Sequence, residues 1–304
     1  MLLSTTINRH SNIIAYIKHT AEVAGKLKKL RIIPVLLAVS ACASVTDNGR
    51  SIGLSQSVPV SSTAFLKDIK TIVKERDYSY VSLAISNPID TSHPLPPTIE
   101  ITTGSGFVVD NNGYVVTAAH VGVSKNRKVI ATGPQGKKYR GRVIAVQRIG
   151  DMALIKLDNP KGLKPANPVS NPCIKPGTSI LSLGKPGLRR DVARVGTLSK
   201  LRFSKPVRYL KYGYDEALVL KLQTRRGESG GPVFDNSGAL MGMIVSTLSS
   251  AAGTYLNLAH AIPTPALAKF ICTNTNCRPA WRKLVQKKIS TCPAPVVASL
   301  SRKS

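Results

Sequence analysis

Residues 104–121 read Gly-Ser-Gly-Phe-Val-Val-Asp-Asn-Asn-Gly-Tyr-Val-Val-Thr-Ala-Ala-His-Val. Two apolar, β-rich runs flank Asn111-Asn112-Gly113. Asn and Gly tolerate the left-handed backbone that a tight hairpin needs. The pattern predicts strands over residues 99–110 and 114–117, joined by that turn. Similar runs continue on both sides, at 78–86, 128–132, 138–146, 153–157, 179–183, 193–198, 218–223, 232–234 and 240–246. Many short strands separated by turn signals indicate an all-β barrel or sandwich. The Pro-rich stretch 159–176 divides them into two halves and is expected to link two barrels. There is no internal sequence repeat.

The first run ends on His120. Two later segments carry matching chemistry: Gly150-Asp151-Met152-Ala153-Leu154, and Gly227-Glu228-Ser229-Gly230-Gly231-Pro232. A serine hydroxyl is a poor nucleophile until a base takes its proton. A histidine is that base at neutral pH. A buried carboxylate on the other ring nitrogen fixes the tautomer and stabilises the imidazolium. The chain supplies His120, Asp151 and Ser229 in that order. The glycines beside Ser229 allow a tight turn, in which the N–H groups of Gly227 and Ser229 can aim at one oxyanion. Each residue alone has an ordinary structural reading: a core histidine, a strand-start aspartate, a turn serine. Their ordered occurrence on predicted strands is far more specific.

These segments resemble the trypsin/chymotrypsin-like serine peptidases, most closely the bacterial branch that includes the HtrA/Deg proteases. Thr117-Ala118-Ala119-His120, Asp151-Met152-Ala153-Leu154 and Gly227-Glu228-Ser229-Gly230-Gly231 carry the resemblance. Ser182-Leu183-Gly184, Leu222-Gln223-Thr224 and Ala261-Ile262-Pro263 support it. The spacings, 31 residues from His120 to Asp151 and 78 from there to Ser229, suit compact bacterial members. The resemblance covers residues 78–270. It implies a chymotrypsin-like double antiparallel β-barrel with a short C-terminal helix and tail. It also implies the triad His120, Asp151, Ser229, an oxyanion hole from Gly227 and Ser229, and peptide-bond hydrolysis through an acyl-enzyme. By family position, Gln223, Thr224, Val245, Ser246, Thr247 and His260 bind substrate, with 245–247 pairing to it as an added strand. His260 either lines the pocket and favours acidic side chains, or is a packed histidine in place of a family aromatic. No acid lies among these residues, so no preference for Lys or Arg substrates is expected. Two departures stand out. Glu228 occupies the place of the family's Asp or Asn, and Arg225-Arg226 shortens the segment before the nucleophile. The residues after 270 are too few for a PDZ-like region.

At the amino terminus, a basic flank precedes the apolar run 32–39, then Val39-Ser40-Ala41-Cys42. Eight apolar residues are too short to span a bilayer. The order reads as a secretory signal over residues 1–41, with Cys42 resembling a lipidated lipobox cysteine. Residues 42–77 then read as a Ser/Thr/Gly-rich tether followed by a short amphipathic helix at 64–76. Outside the cytoplasm, Cys173, Cys272, Cys277 and Cys292 permit two disulfides in any of three pairings. Residues 271–304 read as a basic, Cys-containing tail. Spacing does not support a metal site, and no cofactor is expected.

The 304 residues carry 43 Lys and Arg against 15 Asp and Glu, a net charge of +28. Hydrophobic residues at 42% supply a core and exclude wholesale disorder. Loss of residues 1–41 leaves +23. The cations gather at 125–148, 185–211 and 278–303. With aromatics at 5%, stacking platforms for nucleic acid are poorly supplied, and none is expected as partner. The expected partners are a protein or peptide substrate and an anionic membrane or envelope surface. An envelope-anchored serine endopeptidase is the leading expectation. A catalytically weak protease-fold module that binds anionic surfaces is the alternative.

Overall fold

Alternating apolar residues give the strands one face to bury, and the computed structural model closes them into two barrels. It describes residues 44–47, 50–56, 63–86, 101–170, 173–187, 190–203, 205–249 and 255–292. The strands, in chain order, are β1 (Ser44–Asp47), β2 (Arg50–Gln56), β3 (Tyr80–Ser86), β4 (Ile101–Val108), β5 (Tyr114–Thr117), β6 (Lys128–Thr132), β7 (Lys138–Gln147) and β8 (Met152–Leu157). They continue as β9 (Ser179–Gly184), β10 (Asp191–Lys200), β11 (Val207–Tyr209), β12 (Tyr212–Tyr214), β13 (Leu218–Lys221), β14 (Pro232–Asp235), β15 (Leu240–Ser249) and β16 (Tyr255–Pro263). The α-helices are α1 (Thr63–Arg76), α2 (Ala119–Gly122), α3 (Thr264–Asn274) and α4 (Pro279–Arg282).

The first barrel closes in the order β3-β4-β5-β8-β7-β6. The second runs β10-β13-β16-β15-β14-β9 and closes through β9–β10. All pairings within both barrels are antiparallel. The double-barrel expectation therefore holds. Along β6 the burial alternates: Val129 and Ala131 are buried, whereas Lys128 and Ile130 face out. Residues 158–178 connect the two barrels.

Two terminal regions differ from their sequence reading. Residues 50–56 are not a loose tether. They form β2, which lies parallel to β10 in the register Asp191↔Ile52 to Val195↔Gln56. Ile52 is buried, and the half-buried Leu54 packs on the same core, enough apolar surface to seat β2 between β1 and β10. Residues 271–292 likewise carry core. Ile271, Cys277, Trp281 and Leu284 are buried, and Trp281 donates its Nε1–H to the Val109 carbonyl at 3.2 Å. The disulfides pair Cys173 with Cys292 and Cys272 with Cys277. The lipobox reading at Cys42 falls outside the described residues. Among the described residues, no helix is long and apolar enough to cross a membrane.

Candidate active site

His120 sits in the one-turn helix α2, directly after β5. Small residues are needed there: Ala118 and Ala119 are fully buried under the neighbouring chain. Asp151 precedes β8 and is 0% exposed. Gly150 and Asp151 have φ of 123° and 47°. This left-handed turn swings the carboxylate back towards His120. Asp151 Oδ1 accepts the His120 backbone N–H at 3.0 Å, and Oδ2 lies 2.9 Å from His120 Nδ1. The geometry favours a proton on Nδ1, which leaves Nε2 with its lone pair.

Ser229 lies on the turn before β14. Gly230 (φ 84°) lets this turn touch the first barrel: a Cβ there would stand 2.1 Å from the Ser105 carbonyl and 3.0 Å from Ala118 N. Ser105 of β4, fully buried, ties the contact. Its N–H donates to the Ser229 carbonyl at 2.9 Å, and its hydroxyl donates to the Gly227 carbonyl at 2.8 Å. The same hydroxyl accepts Lys185 N–H at 3.1 Å. The serine turn is thus hung beside the His120 segment. Among the described residues, no hydrogen bond joins Ser229 Oγ to His120. Such links commonly tighten only with substrate in place.

The shortened segment before Ser229 is well defined. Gly227 has φ 94°, and a Cβ would meet the Lys185 carbonyl at 2.3 Å. The Arg226 carbonyl accepts Gly187 N–H at 2.9 Å. In a trans peptide, N–H and C=O point to opposite sides, so the Gly227 N–H is turned away from Gly187. Among the described residues, neither Gly227 N–H nor Ser229 N–H has a protein acceptor. Glu228, 3% exposed, is held by Arg194 of β10, itself 5% exposed, through contacts of 2.6, 2.7 and 2.8 Å. Arg225 N–H adds a fourth at 3.3 Å, and Arg194 reaches on to Ser55 Oγ at 3.1 Å. Burial raises the Glu228 carboxyl above its ordinary range, and Arg194 works against that rise.

The residues read as substrate-binding gather along β15. Thr224 Oγ1 and Thr247 Oγ1 are hydrogen-bonded at 2.5 Å. Val245 stands at a bulge between Ile244 and Ser246. Among the described residues, the paired neighbour of β15 beyond Ile244 is β16 alone, and no described strand pairs with the other edge of residues 245–249. Gln223 lies partly exposed just before Thr224. Tyr214 OH bridges Ser246 Oγ and His260 Nδ1, both at 2.8 Å. His260 is 0% exposed, packs against Phe203 with ring centroids 4.4 Å apart and planes tilted by 47°, and burial lowers its pKa to about 4. It is therefore neutral at neutral pH and packed, with no fixed charge for an acidic side chain.

Sequence reasoning assigned no role to three residues at the site. Ser105 lies inside Gly104-Ser105-Gly106, but its three hydrogen bonds to Ser229, Gly227 and Lys185 cross between barrels. Arg194 sits on a strand 34 residues before Glu228. Tyr209 comes from the β11–β12 hairpin, whose three-residue strands give almost no periodic signal. Among the described residues, no cluster could hold a metal ion.

Residues 104–243 match the trypsin-like peptidase domain family. The chain is 30% identical over 178 residues to mitochondrial serine protease HTRA2 of Bos taurus, covering 57% of this chain and 36% of that protein. It is 26% identical over 258 residues to a putative serine protease HhoA of Synechocystis, covering 82% and 62%. A probable periplasmic serine endoprotease DegP-like of Bartonella henselae is 28% identical over 177 residues, covering 58% and 33%. The chain thus spans 34–40% of the length of its HTRA relatives. A solved HtrA-type protease with tripeptide superposes at TM-score 0.54 and 20% identity, over 66% of this chain and 61% of that one, and shares the fold.

Proposed function

We propose that this chain is a serine endopeptidase acting outside the cytoplasm, with His120, Asp151 and Ser229 as its triad. His120 Nε2 takes the Ser229 hydroxyl proton as Oγ attacks the scissile carbonyl. The carbonyl oxygen becomes an oxyanion and accepts the N–H groups of Gly227 and Ser229. His120 then returns the proton to the leaving amine, the peptide C–N bond breaks, and an ester to Ser229 remains. Water, deprotonated by the same nitrogen, attacks the ester; the bond to Ser229 Oγ breaks, His120 returns the proton to that oxygen, and the acid product leaves. The extended substrate pairs with the free edge of residues 245–247. A pocket wall of hydroxyls with a neutral His260 suits uncharged side chains.

The observation that carries this reading is the attachment of the Ser229 turn to the first barrel. Ser105 and Gly230 hold that turn beside a His120 whose tautomer is fixed by buried Asp151. Two disulfides, the signal-like residues 1–41 and the periplasmic name of the Bartonella relative support the location, with Cys42 as lipid anchor. An anionic surface as partner is supported by β6–β7–β8, where outward Lys128 faces Arg142 and Arg142 faces Lys156. Like charges directly opposite repel unless an anion lies over them.

A fluorophosphonate probe tests the activity. The folded, disulfide-intact chain should label on Ser229, located by mass spectrometry, and Ser229→Ala should not. Absence of labelling in folded wild type would overturn the reading.

A further inference from the structure

The β11–β12 hairpin leaves the second barrel and bonds to the loop that carries Asp151. Gly150 N–H donates to the Gly213 carbonyl at 2.7 Å, and Gly213 N–H donates to the Arg148 carbonyl at 3.0 Å. These bonds bracket the left-handed turn at Gly150 and Asp151, a backbone shape that is costly for Asp unless its surroundings impose it. From the other strand of the same hairpin comes Tyr209. Its hydroxyl donates to Asp151 Oδ2 and lies 3.1 Å from His120 Nδ1. Its ring meets His120 edge-on with centroids 5.9 Å apart. The hairpin therefore grips one aspartate twice, by backbone and by side chain.

Asp151 is fully buried, so no solvent donor shares its oxygens. Oδ1 is fixed by the His120 backbone N–H, and Oδ2 has Tyr209. Fixing both oxygens fixes the carboxylate plane, and with it the direction in which Nδ1–H must point. We propose that Tyr209 is a positioning residue of the triad, acting through Asp151 to hold His120 in its productive tautomer and orientation. The proposal rests on the triad reading above. The Tyr209 hydroxyl keeps its proton, because burial and the adjacent Asp151 both raise its pKa. It remains a donor throughout the reaction, and it touches no reacting atom.

The test compares the full disulfide-intact chain with Tyr209→Phe, which keeps the ring and removes the hydroxyl. The probes are a fluorophosphonate and a fluorogenic peptide chosen by cleavage profiling of wild type. Tyr209→Phe should lower kcat roughly ten- to a hundredfold, the effect of losing a donor to a buried charge. KM should stay put, and the labelling rate should fall by the same factor. An unchanged or increased kcat, or a raised KM with kcat intact, would overturn it. If the Phe variant does not fold, Tyr209→Gln and Tyr209→Leu decide: the donor-bearing Gln variant should be faster, and equal rates overturn the proposal. An inactive wild type removes the peptidase reading and this one together; an active wild type with an indifferent Tyr209→Phe removes this one alone.

Discussion

Arg194→Met would leave Glu228 buried with one long backbone contact. In the native chain, three contacts of 2.6–2.8 Å join the pair, and both side chains are almost fully covered. Removing one partner of such a pair costs about 3–5 kcal/mol, because the survivor's charge keeps its desolvation cost and loses its compensation. Domains of this kind have about 5–15 kcal/mol in total, so the loss is severe. It also falls on the residue before Ser229, so activity should drop further than unfolding alone explains. The variant should recover in acid, where a stranded carboxyl takes up a proton and the unpaired charge disappears. Arg194→Met with Glu228→Gln should regain much of the stability at any pH, since the amide carries no charge. Urea unfolding at pH 8 and pH 5, with fluorophosphonate labelling in parallel, reads all of this. A penalty below about 1 kcal/mol at pH 8, or equal penalties at both pH values, would refute the argument.

The long disulfide should matter more than the short one. By loop entropy, losing Cys173–Cys292 costs about 5 kcal/mol and losing Cys272–Cys277 about 2 kcal/mol, measurable from urea midpoints of paired Cys→Ser variants. His260 has a folded pKa near 4, below its unfolded value, so the unfolded chain binds more protons between the two. Its contribution, on the order of 3 kcal/mol, is present above about pH 6.5 and lost as pH falls towards 4. His260→Phe should flatten that stretch of the stability profile, and a profile unchanged by the substitution would contradict it. Gly230→Ala should abolish Ser229 labelling, since its Cβ has no room against the Ser105 carbonyl. Trp281→Ala should cost about 3–5 kcal/mol, seen as a lowered Tm with retained disulfides.

The barrels were legible because short apolar, β-branched runs lie between turn signals; β6 alternates buried and exposed positions, whereas β8, β9 and β14 are buried almost throughout. β5 and β6 fall where the pattern of Tyr114–Thr117 and Lys128–Thr132 puts them. β2 was hidden because its Ser and Gly content resembles a linker, and its pairing with β10 is parallel and far away in sequence. β16 was missed although Ala261-Ile262-Pro263 lies within it, because residues 255–260 mix Asn, Leu and His without alternation. At the site, the Asp–His geometry follows from residues that had already been singled out. What holds them in place does not. Ser105, Arg194 and Tyr209 act across 122, 34 and 58 residues of sequence, and no local pattern encodes such distances.

The Cys173–Cys292 bond gives the second barrel a property that neither barrel's hydrogen bonding provides. Every strand from β9 to β16 lies between those two cysteines, so this part of the molecule is a covalent ring. Ile174 N–H donates to the Ser290 carbonyl at 2.9 Å, sealing the junction beside the bond. A single cut within the ring, at a tip such as the fully exposed Leu210, opens it without releasing a fragment. On the peptidase reading proposed above, a copy cut there by another would persist nicked but whole, migrating as one band without reductant and as two with it.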